Sequence, residues 1–193
     1  MEIIFVVYSL FPIWGLSEFI INRKKRVVQN KTIKDKNSNI QNIVIFLSLP
    51  IGIIFGLINI YANIHFLDFF GNKYFWILAS SILLIIGIAI RWISIKTLDR
   101  YFSVNLTIQQ DHKVIDFGIY KYIRHPSYLG AILSFLGFGF SFYNLTSFLI
   151  IFLPNLIVFL LRINFEEELL VDNLGSDYVT YKNKTKKLIP KIF

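Results

Sequence analysis

Apolar and polar residues alternate along this chain in long blocks rather than residue by residue. Apolar runs cover 1–21, 43–64, 74–95, 128–143 and 145–165, and polar stretches cover 23–42, 65–73, 96–126 and 166–193. A helix of about 20 residues crosses the hydrocarbon core of a bilayer, and four of the runs reach that length. The run 128–143 is shorter and reads as a short span or as one arm of a hairpin that turns at Asn144 into the last run. The pattern predicts an all-α fold: a polytopic integral membrane helical bundle of about five transmembrane helices. It would end in a C-terminal helical hairpin with polar segments packed against one membrane face. The first run has no basic leader and no small-residue cleavage site, so it reads as a retained helix rather than a removed signal. No repeat or low-complexity tract divides the chain. Its organisation reads as N-terminal transmembrane helices, 1–96, followed by a C-terminal region, 97–193.

Composition supports the membrane reading. Hydrophobic residues make up 55% of the 193 and charged residues 17%, against nearer 25% charged in soluble domains. Cysteine is absent, which excludes disulfides, thiolate metal sites and a cysteine nucleophile. The three histidines, His65, His112 and His125, lie too far apart in sequence to suggest a metal cluster.

The net charge of +8 would point to nucleic acid in a soluble protein. Here its placement matters more. Lys and Arg number seven in 23–42, six in 91–127 and six from 162 onward, against Lys73 alone in the opposite loops. That asymmetry puts the N-terminus outside and the C-terminus in the cytoplasm, with the large polar stretches on the cytoplasmic side. It makes the bilayer the partner and not nucleic acid. Tyr74 and Trp76 suit one interface and Trp92 the other. Nothing in the pattern sets an oligomeric state. The missing cleavable leader and the richness in Ile, Asn and Lys favour a bacterial plasma membrane.

Candidate chemistry is concentrated after His112. Pro126 suits the first turn of a helix, which sets His125 just ahead of a helix N-terminus, where free amides and the helix dipole favour an anionic group. Tyr120, Tyr122 and Tyr128 offer flat faces and hydroxyl tips suited to a purine. Arg162 and Glu166, four residues apart, share a helix face at the end of the last run. The arginine can grip a carboxylate, and the glutamate can hold an ammonium or ribose hydroxyls. Plainer readings stand beside these. Arg124-His125-Pro126 also reads as a helix start with basic anchors, Arg162 as a membrane-edge marker, and 166–168 as a solvated helix end. His112 alone reads as a surface histidine. Glu18 and Arg91 read as boundary residues that snorkel to the interface. The basic run from Arg23 reads as a topology signal, and Asn59 and Asn63 as interhelical hydrogen-bonding residues.

The segment Gly-Ile-Tyr-Lys-Tyr-Ile-Arg-His-Pro-Ser-Tyr-Leu-Gly, 118–130, resembles the signature of the isoprenylcysteine carboxyl methyltransferase family, which groups with phospholipid methyltransferases. Arg162 followed by Glu166-Glu167, then Gly175, Tyr178, Tyr181, Leu188 and Pro190, resembles a second motif of that family in order and spacing. The resemblance covers roughly 102–190. It implies S-adenosylmethionine as methyl donor, bound on the cytoplasmic side among the C-terminal helices and loops. By position it implies cofactor contacts from His112, Val114, Ile115, Tyr120, His125, Pro126, Ser127, Tyr128 and Glu166. It puts Arg162 on the substrate side, and a polar contact near Asn105 or Thr107.

For a methyltransferase the reading assigns Arg162 to position the acceptor. Glu167 or His125 would take a proton if the acceptor were an amine. The acceptor implied by the family is an isoprenylcysteine carboxylate. A phospholipid amine, a small thiol or another isoprenoid acid fits the residues equally well, and the lack of a soluble substrate domain favours a hydrophobic one. Two other classes remain open at this point. One is a membrane NADPH-dependent reductase of the sterol type, which would have more spans. The other is a non-catalytic scaffold of the same fold.

Overall fold

The structure, a computed structural model, describes residues 2–24, 38–62, 68–102 and 112–190. Asn63, the Asn59 side chain, most of the basic run after Arg23, His65, Asn105 and Thr107 lie outside the description.

Among the described residues six α-helices follow in order: α1 Glu2–Lys24, α2 Ser38–Tyr61, α3 Lys73–Leu98, α4 Pro126–Phe140, α5 Leu145–Leu174 and α6 Ser176–Lys184. Short 3₁₀ turns stand at Asp99–Tyr101 and Gly118–Lys121. No strand occurs among the described residues, only isolated bridges at Asp68–Asn144 and Ile123–Lys186. The all-α expectation therefore holds.

Among the described residues three helical stretches are long and apolar enough to cross a membrane: Ile40–Ile58, Lys73–Tyr101 and Leu145–Leu174. Two shorter apolar stretches, Ser9–Ile21 and Pro126–Phe140, accompany them. At 15 residues α4 is only about 22 Å long, less than the roughly 30 Å of hydrocarbon. It is one arm of a hairpin with α5. Asn144 makes the turn by accepting from the amides of Thr146 and Ser147. The fifth expected run stops at Phe165, yet α5 continues as helix to Leu174, so its last turns project beyond the apolar block.

The hairpin is the centre of the bundle. Contacts run from α1 to α3, α3 to α4, α4 to α5 and α5 to α2. The buried core joins Leu84 of α3, Phe135 and Phe138 of α4, and Ile151, Phe159 and Ile163 of α5. Phe11 and Trp14 of α1 close it against Phe138, with ring centroids 4.4 and 5.1 Å away.

Small residues set how near the helices come. Gly87 of α3 and Gly130 of α4 face each other so closely that a Cβ on either would stand 2.6 Å from the other's carbonyl oxygen. That contact crosses the 96/97 boundary, so the two stretches pack as one body. Two polar pairs inside the bundle join across helices, where burial in lipid favours such bonds. Asn155 of α5 donates to Ser48 of α2 at 2.6 Å, and the Trp92 indole donates to Ser17 of α1 at 2.6 Å.

At the far end, Phe69 stacks on Trp76 at 4.7 Å and meets Phe140 and Phe148 edge-on. The cluster pins the α2–α3 connection to the hairpin turn. The chemistry lies at the other end.

Candidate active site

Pro126 opens α4 and His125 is its N-cap residue, as the sequence predicts. His125 makes no capping bond with its side chain, so the amides of the first turn stay open toward whatever lies beyond them. Its imidazole is buried and turned to α5 instead. Nε2 lies 3.3 Å from Glu167 Oε1, and Nδ1 lies 3.9 Å from Glu166 Oε2.

The three consecutive glutamates have separate fates because α5 turns each to a different side. Glu168 is exposed, Glu166 is half-buried and Glu167 is buried. Arg124 donates from Nε to Glu167 Oε1 at 2.8 Å, and from Nη1 to the carbonyls of Lys182 and Thr185. Lys182 adds a second cation 3.3 Å from Glu167 Oε2. One guanidinium thus ties α5 to the end of α6 and to the tail after it.

That tail then runs beside residues 122–125. The amides of Arg124 and His125 donate to the carbonyls of Lys186 and Lys187 at 2.8 and 3.0 Å. Leu188 anchors the tail in the core. Sequence pattern alone gave this segment no place, since it has neither helical nor strand periodicity.

A cavity opens between these elements. Its wall takes His112, Val114 and Ile115 from the loop, Tyr120 from the 3₁₀ turn, and His125, Ser127 and Tyr128 from the start of α4. Arg162 and Glu166 come from α5, and Tyr178 and Tyr181 from α6. All the expected cofactor residues except Pro126 therefore share one wall. Pro126 is fully buried behind it as the first residue of α4. Arg162 and Glu166 face the cavity together, and Arg162 is steadied by Gln41 and Asn42 at the start of α2. Glu167 is absent from the wall; its buried carboxylate is engaged by Arg124 and His125.

Two aromatic groups of the wall are tuned by burial. Tyr120 is raised well above its ordinary range by burial and by the nearby Glu166 carboxylate. It therefore stays a neutral phenol. Its carbonyl accepts from the Tyr181 hydroxyl at 2.7 Å, which fixes the 3₁₀ turn against α6. Burial lowers the affinity of His112 for a proton, so its imidazole is neutral near pH 7 and one ring nitrogen can accept a hydrogen bond. It sits against Tyr101, with centroids 5.0 Å apart, and is not a surface histidine.

Glu18 and Arg91 do not snorkel to the interface as the sequence predicts. The two form an ion pair between α1 and α3: Arg91 Nη2 donates to Glu18 Oε2 at 2.8 Å, and Nε to Oε1. The same guanidinium donates to Ser127 Oγ at 2.9 Å and lines the cavity. Snorkelling would carry both heads toward water, whereas pairing between helices lets both stay half-buried. Arg91 and Arg124 are the wall residues that sequence reasoning missed. Their only signal was being charged residues at or beside an apolar run, and their partners lie 73 and 43 residues away.

Known proteins match both the sequence and the fold. Residues 80–172 match the model of the isoprenylcysteine carboxyl methyltransferase (ICMT) family. Protein-S-isoprenylcysteine O-methyltransferase of Saccharomyces cerevisiae is 34% identical over 113 residues, which is 58% of this chain and 47% of the yeast protein. The Schizosaccharomyces pombe protein of the same name is 39% identical over 83 residues, 43% of this chain and 35% of its own length. The matched region thus spans about half or less of these relatives. The solved structure of a eukaryotic intramembrane Ras methyltransferase, ICMT, superposes with a TM-score of 0.63 at 24% identity, over 96% of this chain and 65% of that one. That likeness shows the integral membrane, multi-pass fold. Through residues 80–172, where both signature motifs begin and most of the cavity wall lies, the chain is similar to the isoprenylcysteine carboxyl methyltransferase family.

Proposed function

We propose that this chain is a membrane methyltransferase that uses S-adenosylmethionine to methylate the carboxylate of an isoprenylated cysteine. The observation that carries the reading is the meeting of His112, Val114, Ile115, Tyr120, His125, Ser127, Tyr128 and Glu166 on one wall, with Arg162 beside them.

The wall fits the donor by its chemistry. Glu166 suits the ammonium, the open amides at the start of α4 suit the carboxylate, and Tyr120 with Tyr101 gives flat faces for a purine. Polar atoms without protein partners, at His112 Nδ1 and Tyr178 OH, leave hydrogen bonds for a bound molecule to complete. When bound, S-adenosylmethionine supplies a methyl group activated by a positively charged sulfur.

The protein's share is positioning and exclusion of water. Arg162 presents a fork of donors that suits a carboxylate, one turn from Glu166 on the same helix face. Residues Phe159, Leu169 and Leu170 complete an apolar side of the cavity, which suits an acceptor carrying a lipid chain. A carboxylate nucleophile has no proton to lose, so no general base is required. Glu167 is then a clamp for Arg124 and His125, and not a proton acceptor. The Lys and Arg asymmetry supports a cytoplasmic cavity mouth.

Calorimetric titration of the detergent-purified protein with S-adenosylhomocysteine tests the reading. Saturable binding is expected, weakened by roughly 10- to 100-fold in Glu166→Ala, the scale of a hydrogen bond to a charged group. Folded wild-type protein that takes up no S-adenosylhomocysteine would overturn it. The acceptor is tested separately. Arg162→Ala should raise KM for an S-farnesylated cysteine while its affinity for S-adenosylhomocysteine stays at the wild-type value. An unchanged KM would remove Arg162 from the acceptor site.

A further inference from the structure

Among the described residues, six buried side-chain atoms lack a hydrogen-bond partner, and two of them, His112 Nδ1 and Tyr178 OH, belong to residues that line the same cavity. The contrast within α6 makes the second one informative. Tyr178 and Tyr181 lie one turn apart on its buried face, at 3% and 8% exposure, with rings 5.9 Å apart. The Tyr181 hydroxyl is occupied by the Tyr120 carbonyl at 2.7 Å. The Tyr178 hydroxyl has nothing.

An unsatisfied buried hydroxyl is costly, and phenylalanine would fill the same space without the cost. Burial and the carboxylates of Glu167 and Glu166 hold the phenol above its ordinary range, so the hydroxyl keeps its proton and can donate. His112, across the cavity wall from the loop side, is neutral and offers an acceptor.

We infer that Tyr178 is a ligand-binding residue: its hydroxyl donates a hydrogen bond to the nucleoside portion of the methyl donor, with His112 as the second polar anchor. The inference rests on the methyltransferase reading and deepens it. The opposite end of the donor is provided for by the open amides at the start of α4 and by Glu166, which leaves the loop and α6 side of the cavity for the nucleoside. Donation from a neutral phenol suits an acceptor atom such as a ribose oxygen or a purine ring nitrogen.

Tyr178→Phe tests this with two readouts. Its affinity for S-adenosylhomocysteine should fall roughly 3- to 10-fold, the scale of one neutral hydrogen bond. The melting temperature of the ligand-free protein should stay level or rise, because no protein partner is lost. A hydroxyl with a purely structural role would do the reverse, lowering the melting temperature with little change in affinity. Titration with the 2′-deoxy and 7-deaza analogues then locates the contact. The analogue lacking the accepting atom should bind wild type more weakly than the parent compound, and the difference should shrink or vanish in Tyr178→Phe. If wild type binds S-adenosylhomocysteine and Tyr178→Phe binds it equally well, the hydroxyl holds only a water and the inference fails while the methyltransferase reading stands. If wild type binds none, both fall.

Discussion

Arg124→Ala protein is expected to melt well below the wild type and to bind no measurable S-adenosylhomocysteine. The guanidinium is buried, and its removal strands several groups at once. Glu167, at 4% exposure, loses its Nε–H partner at 2.8 Å. The carbonyls of Lys182 and Thr185 lose their donor. Breaking one side of a buried ion pair costs about 3–5 kcal/mol, because the remaining charge stays out of water. Lys182 at 3.3 Å and Lys187 at 3.9 Å would recover part of that for Glu167, but neither reaches the carbonyls.

The functional loss follows from what the clamp holds. His125 is fixed from one side by Glu167 and from the backbone by the tail. A loosened tail frees His125 and the start of α4 together. Arg124→Lys keeps the charge but not the fork of donors, so it should fall between alanine and wild type in both melting temperature and affinity. The double variant Arg124→Met/Glu167→Leu separates the two effects: it should regain the part of the stability lost to the unpaired carboxylate, since apolar replacement of a buried pair is often neutral, without regaining binding. If Arg124→Ala melts with the wild type, the guanidinium does not secure the tail.

The legible and illegible parts of this site differ in a physical way. Whatever is set by neighbours within one helical turn could be read from sequence. Pro126 places the α4 start, Asn144 places the hairpin turn, and the four-residue step from Arg162 to Glu166 places both on one face. Whatever depends on partners far along the chain could not. Arg91 finds Glu18 only because α1 packs on α3. Glu167 finds Arg124 only because the hairpin returns the chain 43 residues later. The tail is located by hydrogen bonds to residues 122–125, which leave no periodic trace. The extent of α5 was missed for a different reason. Hydropathy reports where lipid ends, whereas the helix goes on for two more turns because Leu169, Leu170 and Leu174 still have the cavity to line.

Gly87→Ala is the second large effect, and it acts through shape rather than charge. A Cβ at this position would stand 2.5 Å from Ser134 Oγ, 2.6 Å from the Gly130 carbonyl oxygen and 2.9 Å from the Ser134 amide nitrogen. Two of those three atoms are backbone, so no rotamer change relieves the overlap and α3 must move off α4. Overpacking of this kind costs about 1–3 kcal/mol and sometimes more. Within a bilayer the close approach of two backbones is a main source of helix association, so the upper part of that range is expected. Arg91 stands four residues after Gly87 and reaches Ser127 across the same contact. Separation of the helices therefore withdraws Arg91 from the cavity wall as well. Gly87→Ala should lower both melting temperature and affinity for S-adenosylhomocysteine, and Gly130→Ala, whose Cβ would meet the Gly87 oxygen at 2.6 Å and the Arg91 amide at 2.8 Å, should do the same. Gly15→Ala in α1 is the control, because nothing lies within 4 Å of its added carbon and alanine is the better helix former. Equal melting curves for Gly87→Ala and Gly15→Ala would mean that the glycine contact does not set the distance between α3 and α4.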